Sequence, residues 1–485
     1  MKISELAPKK VFTFFEHLSS VPHGSGNTTQ IADLCEKFAV ERNLRYSRDK
    51  LNNVVIFKSG TAGYENSKPV IIQGHLDMVC AKDKDCSKNM AKEPIDLCTD
   101  GKYLWADKTS LGGDDLIAVA IALAILDSDD IPHPPLECVF TVDEETGMDG
   151  AAGLDFSLLS GRTMLNLDSE SDGVLTVGCA GGLRLNFSMT GSREKVKKED
   201  IRKKIVISGL KGGHSGAEID RGRASANQLM ARLLFGLFKK MGPDNFGVCS
   251  VSGGEFDNVI TNFAEADITV SEKKAKKLSS EIKAFASAVA EEYKFTDPDI
   301  KIVLTGSDSK GDVLTAECAA KVLSSLFMLP QGVQGMSHEM EGLVETSCNL
   351  GVVRITGKTL HFSVSVRSSV ESKKRELSDK IIEMASVNGF RCRETGDYPG
   401  WKYAPVSPLR DLLSANYTKL TGKTAKIEAI HAGLESGFFS TRLPGLDCVS
   451  FGPDLYDIHT SRERLDVKST ERLFNLVCET LKDLK

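Results

Sequence analysis

Val70-Ile71-Ile72-Gln73-Gly74-His75-Leu76-Asp77 is the stretch from which the rest of the chain can be ordered. Its apolar start, without polar alternation, describes a short strand buried on both faces, as in a parallel sheet covered by helices. His75 follows that strand, at the carboxyl end where open α/β sheets gather their ligands. Asp77 stands two residues further on, hence on the same side if the extended conformation continues. There its carboxylate can hold the imidazole nitrogen that a metal would leave free. An ordinary strand-end histidine beside a solvated aspartate looks the same, so recurrence along the chain discriminates between the two.

The pattern recurs. Val54-Val55-Ile56-Phe57, Leu136-Glu137-Cys138-Val139-Phe140 and Met164-Leu165-Asn166-Leu167 also read as short buried strands, and Leu116 to Leu126 as a buried helix. Leu111-Gly112-Gly113-Asp114-Asp115-Leu116 puts two carboxylates at the start of that helix, where Asp commonly caps free N–H groups. Because the helix is almost wholly apolar, its N-terminus is expected at the sheet edge, where a carboxylate can bridge two metals. Val142-Asp143-Glu144-Glu145-Thr146-Gly147 places three acids directly after a strand with no basic partner beside them. Adjacent carboxylates at a buried sheet end repel unless cations compensate, so a metal centre with a general base explains them better than a solvated turn. Asp168 ends another strand, and His459 lies in a loop after Cys448-Val449-Ser450. Each of these has an ordinary explanation as a cap, a turn or a solvated loop. Jointly they supply two histidines and several carboxylates, a donor set suited to zinc, with cobalt or manganese less excluded than copper.

At 485 residues the chain exceeds the roughly 250 to 300 at which single cores stop growing. Strand and helix alternate through the first 182 residues. Residues 183–397 change texture to alternating strands such as Leu183–Phe187 and long amphipathic helices such as Ser225 to Lys240, an α+β pattern. Strand and helix then return from 398 to 485. The expected architecture is a discontinuous α/β catalytic domain, 1–182 with 398–485, interrupted by an inserted domain. A net charge of −6, with Lys and Arg spread along the chain, offers no basic stripe for nucleic acid. No stretch approaches the roughly 20 apolar residues of a membrane span, and no signal peptide is evident, so a cytoplasmic protein is expected. The 12 cysteines are scattered singly, as buried small hydrophobes would be; Cys80, close behind His75, could react if exposed.

Further landmarks are Val21-Pro22-His23-Gly24-Ser25-Gly26-Asn27, Gly212-Gly213-His214-Ser215-Gly216, Ser337-His338-Glu339 and Ile430-His431-Ala432-Gly433-Leu434-Glu435-Ser436-Gly437. With these the chain resembles, over essentially its whole length, the co-catalytic zinc exopeptidases, the family that includes aminoacylases and carboxypeptidases. Within that family it is most similar to the aminoacyl-histidine dipeptidases, also called Xaa-His or cytosol nonspecific dipeptidases. The resemblance implies a mixed-sheet dizinc domain covered by helices, with an inserted α+β lid domain. It implies one zinc on His75 and Asp168, another on Glu145 and His459, and Asp114 as their bridge. Glu144 would be the general base and Asp77 would orient His75. His214 would stabilise the oxyanion, often across the interface of a homodimer. Asn258, Arg367 and the Gly433 turn would meet the peptide's carboxylate or carbonyl oxygen. Read without the family, residues 211–216 are a flexible glycine loop, and a strand-end Arg more often forms a surface ion pair. Two departures stand out: Asp115 occupies a position where the family more often has Asn, and Val259-Ile260-Thr261-Asn262-Phe263 replaces the subfamily's usual Pro-Arg-Glu.

The expected activity is therefore metal-dependent hydrolysis of small peptides, with dipeptides ending in His the first to assay. An amidohydrolase of the same fold, acting on N-acylated amino acids, is the nearest alternative. An inert peptide-binding protein is a remoter one, since it would have little reason to keep a complete ligand set together with a base.

Overall fold

The computed structural model describes residues 2–485, which form two compact units. The first contains Met1–Cys179, Trp401–Ala429 and Leu434–Lys485; the second contains Ala180–Gly400 and Ile430–Gly433. The inserted unit thus extends three residues beyond the range 183–397 at each end. The reason is pairing: the strand Gly181–Thr190 begins at Gly181 opposite Ser368, and Tyr398 pairs with Gly182.

The first unit is an α/β structure built on an eight-stranded mixed sheet. Its strands are β1 (Arg45–Arg48), β2 (Val54–Lys58), β3 (Val70–His75), β4 (Leu136–Thr141), β5 (Thr163–Asn166), β6 (Val174–Cys179), β7 (Lys426–Ile430) and β8 (Asp447–Ser450). Their spatial order is β1-β2-β4-β3-β5-β8-β6-β7. The central β4, β3, β5 and β8 run parallel, and β1, β2 and β6 pair antiparallel. Every residue of β3 and β4 is buried, which accounts for their mainly apolar composition, with Glu137 the exception inside β4.

Parallel strands end on the same edge, and register fixes what meets there. His75 pairs with Thr141, while Gln73 pairs with both Val139 and Asn166. The chain leaving β4 therefore delivers Asp143 to Glu145 beside His75, and Asp168, two residues beyond Asn166, arrives level with it. The helix Gly113–Leu126 is buried along its whole length, and its first residues bring Asp114 and Asp115 to that edge. It packs on β3 at Gly74, where a Cβ would lie 2.6 Å from Ala118 Cβ and 2.6 Å from Asp115 Oδ2. No helix among the described residues is long and apolar enough to cross a membrane.

The second unit is an α+β layer. Its nine-stranded sheet is antiparallel at every recorded pairing, with Lys301–Gly306 and Arg391–Tyr398 at its edges. Leu183, Leu185 and Phe187 alternate inward along Gly181–Thr190 and share a core with the helices Ala226–Met241, Ala275–Glu292, Ala316–Met328 and Glu371–Ser386. Phe187 stacks on Phe362 with ring centroids 4.7 Å apart. All 12 cysteines are free thiols; Cys80 is exposed, but desolvation raises its thiol pKa, so it has no thiolate activation.

Gly74 supplies the first prediction. Gly74→Ala forces the helix Gly113–Leu126 off β3 and should lower unfolding free energy by about 1–3 kcal/mol, as overpacked sites do. Denaturant titration of the purified variant measures it.

Candidate metal centre

His75 is fully buried at the end of β3. Its Nδ1 lies 3.0 Å from the Asp77 carbonyl oxygen and 3.5 Å from Asp77 Oδ1, so Nδ1–H is the donor on that side. In a neutral ring Nε2 is then a lone pair, yet it faces Asp114 Oδ1 at 3.1 Å. Two lone pairs at that distance require a proton or a metal between them. The other oxygen of the same carboxylate, Asp114 Oδ2, lies 3.2 Å from His459 Nε2. His459 Nε2 is also 2.8 Å from Glu145 Oε1, without the alignment of a hydrogen bond. One carboxylate therefore offers an oxygen to each of two imidazoles.

Donor atoms of His75, Asp114 and Glu145 lie within 4.8 Å of one another, as do those of His75, Asp115 and Asp168. Asp168 Oδ2 and Glu145 Oε1 are buried without any hydrogen-bond partner. Orphaned carboxylate oxygens beside imidazole nitrogens are what divalent cations of zinc type bind, so these residues fit a two-metal site. Asp77 braces the arrangement. Besides His75 it receives the Ser25 hydroxyl at 2.8 Å and the amides of Glu144 and Glu145 at 3.1 and 3.4 Å. The half-buried Glu144 has no hydrogen-bond partner for its carboxylate among the described residues.

Proton affinities record the crowding. Burial pushes the carboxyls of Glu144, Asp115 and Asp168 well above the usual range; nearby His75 opposes this, while neighbouring carboxylates add to it. Hydrogen bonds from His459 and His75 outweigh burial at Asp114 and hold it below the usual range. Asp114 and Asp77 raise His75 against its own desolvation, and the contacts with Asp114 and Glu145 push His459 up to about 10. Asp115, which takes the position usual for Asn, accepts the His75 amide at 3.2 Å.

Three supporting residues escaped the sequence reading. Glu463 receives the amides of residues 111–114. Glu435, within the Ile430–Gly437 landmark, is fully buried and accepts from Gln73 at 2.6 Å and Thr141 at 2.5 Å. His23, in the Val21–Asn27 landmark, is buried with Nε2 unpartnered. His23 and Glu435 lie near glycines within the quoted landmarks, whereas nothing in the sequence around Glu463 marks it.

The remaining candidates lie in the second unit. His214 sits on a two-residue strand paired with Val259 and Ile260, next to Asn258. Its Nδ1 accepts from the amides of Gly216 and Ala217 at 3.2 and 3.0 Å, so Nε2 carries the hydrogen of the neutral ring. Desolvation lowers its pKa, as does Arg367 nearby. Arg367 donates to the Tyr398 hydroxyl at 2.8 Å, has a buried, unpartnered Nε and forms no ion pair among the described residues. The surface ion pair that its strand-end position allowed is thus absent. Gly433 ends the short Ile430–Gly433 segment of this unit.

Comparison with known proteins agrees with this chemistry. Residues 71–483 match the model of peptidase family M20/M25/M40, and the chain belongs to that family of peptidases. It is 34% identical over 483 residues to the cytosol non-specific dipeptidase of Escherichia coli K12, covering 100% of this chain and 99% of that protein. The crystal structure of aminoacylhistidine dipeptidase from Vibrio alginolyticus matches with a TM-score of 0.92 at 32% identity, over 100% of this chain and 98% of that one. A tripeptidase from Staphylococcus aureus, at 17% identity and TM-score 0.55 over 99% of both chains, shares the fold.

Metal binding should be proton-linked. With its pKa raised to about 10, His459 is protonated in the metal-free protein at pH 7, and its partners shift His75 in the same direction. Its protonated pair with Asp114 and Glu145 stabilises the metal-free fold below the unfolded pKa of about 6.5, and that contribution is lost as pH climbs through about 10. Zinc added to chelated protein at pH 7 should release protons, and affinity should rise with pH. Calorimetry in buffers of different ionisation enthalpy counts those protons.

Proposed function

We propose that the chain is a metal-dependent dipeptidase in which the Asp114 carboxylate would serve both of two metals. The observation that carries this reading is the placement of its oxygens 3.1 Å from His75 Nε2 and 3.2 Å from His459 Nε2. His75 and Asp168 would hold one metal, and Glu145 with His459 the other. Zinc is the first choice by donor type, with cobalt and manganese next. Metals bound there supply Lewis-acid polarisation of the peptide carbonyl and acidification of a water.

Glu144 is the general base. Its carboxylate is free of hydrogen bonds, its burial favours taking up a proton, and its backbone is pinned by Asp77. It takes the proton of the attacking water and returns it to the departing amine. Asp77 keeps the His75 Nδ1–H in place, which leaves Nε2 as the ligand atom. By the family resemblance, His214 would offer a neutral Nε2–H to the developing oxyanion. Arg367, without an acidic partner, suits the peptide's carboxylate by its forked donors. Asn258 and Gly433 would complete the substrate contacts.

The two relatives of about one-third identity bear the names of a non-specific dipeptidase and an aminoacylhistidine dipeptidase. Those names direct the assay to Xaa-His and other dipeptides, and the first supports a cytosolic location. A homodimer formed through the second unit fits the exposure of Phe327 and Met328, which keep 45% and 46% of their surface open.

Chelated protein re-supplied with zinc, manganese or cobalt should recover hydrolysis across a dipeptide panel. Exclusive release of acetate from N-acetyl amino acids would overturn the dipeptidase reading. Glu144→Gln should retain its metals while kcat falls about 10²- to 10⁴-fold; metal analysis and steady-state kinetics on one preparation test both halves.

A further inference from the structure

Glu463 follows His459 by four residues and is 2% exposed. Its carboxylate accepts four successive backbone amides. Oε2 receives Leu111 N–H at 2.9 Å and Gly112 N–H at 3.1 Å; Oε1 receives Gly113 N–H at 2.8 Å and Asp114 N–H at 3.4 Å. These amides open the helix Gly113–Leu126 and have no partner within it.

The backbone is shaped for this grip. Gly112 has φ 70°, a left-handed conformation that lets successive amides turn toward one anion. A Cβ on Gly112 would stand 2.9 Å from Met78 Sδ and 3.0 Å from His23 Nε2; on Gly113 it would meet Leu455 Cδ2 at 2.8 Å. The Leu111-Gly112-Gly113-Asp114 segment is thus enclosed on one side by side chains and on the other by Glu463. Among the described residues, the Asp114 side chain, in contrast, is held only through the two histidines.

We propose that Glu463 is a positioning residue for the metal centre. By gripping the four amides it sets the direction in which Asp114 projects its bridging carboxylate. Because Glu463 and His459 share one loop, it also ties the bridge to the last ligand, so the two keep their spacing. The inference rests on reading Asp114 as the bridge. A plain helix cap would stabilise the helix without regard to metal; a positioning residue changes how tightly metal is held.

The test compares Glu463→Gln, Glu463→Asp and Asp114→Ala with the unaltered protein. Zinc affinity is read by competition with a chromophoric chelator, and thermal midpoints are taken with chelator and with zinc. Gln keeps one acceptor oxygen and turns an NH₂ group toward amide donors, so Glu463→Gln should bind zinc about 10- to 100-fold more weakly. The rise in midpoint that zinc produces should shrink with it. Glu463→Asp, with both oxygens at shorter reach, should fall between. Equal drops in both midpoints with unchanged zinc affinity would reduce Glu463 to a cap and overturn the proposal. If Glu463→Gln does not fold, Glu463→Asp decides by the same comparison. Two zincs retained at full affinity by Asp114→Ala would sink the bridge reading itself, independently of either Glu463 variant.

Discussion

The carboxylates of Asp77, Asp114, Asp115, Glu144, Glu145 and Asp168 meet at one sheet edge, with His75 and His459 as the groups that oppose their charge. Two like charges 4 Å apart cost about 4 kcal/mol at an effective dielectric of 20. A handful of such pairs rivals the roughly 5–15 kcal/mol by which a typical domain is stable. A fold can keep such a cluster only if positive charge enters with it. Without metal that charge is protons, which is why Glu144, Asp115, Asp168 and His75 all hold theirs more tightly than usual. With metal bound, the same repulsion becomes the affinity of the site.

Holding the cluster apart from its own repulsion falls to the scaffold. Parallel strands fix the spacing of His75, the Asp143–Glu145 turn and Asp168 through main-chain register. Beneath them runs a buried polar layer. Asn166 donates to Gln73 at 2.5 Å, Gln73 to Glu435 at 2.6 Å, and Thr141 to Glu435 at 2.5 Å. Gln73 and Asn166 each precede a candidate ligand by two residues and so face the same side of the sheet. Their side chains join neighbouring strands where an apolar layer would leave them free to adjust.

Much of this was legible because burial on both faces leaves a plain mark. The apolar start of β3, the mainly apolar β4 and the helix after Asp114 marked the sheet, and acids at their ends marked the site. Boundaries shifted by small amounts where caps and pairing decide them: the expected Ser225 to Lys240 helix runs Ala226–Met241, with Ser225 as its cap. What could not be read was contact between distant segments. Nothing around Glu463 indicates that its carboxylate reaches back some 350 positions to the amides before Asp114. Glu435 likewise looks like any acid near a glycine turn until Thr141 and Gln73 are found against it.

The second unit illustrates how a neutral histidine is made without relying on acidity alone. A solvent-facing imidazole chooses its tautomer freely, but the amides of Gly216 and Ala217 both point at His214 Nδ1. Protonating that nitrogen would set donor against donor, so the ring keeps its hydrogen on Nε2. Arg367 acts in the same direction by opposing a second positive charge on His214 and on the buried His431, whose pKa burial lowers to about 3. Among the described residues no acid pairs with Arg367, unlike Arg48, which pairs with Asp33 and Glu36. A buried guanidinium nitrogen with no anion in contact is costly unless an anion arrives from outside.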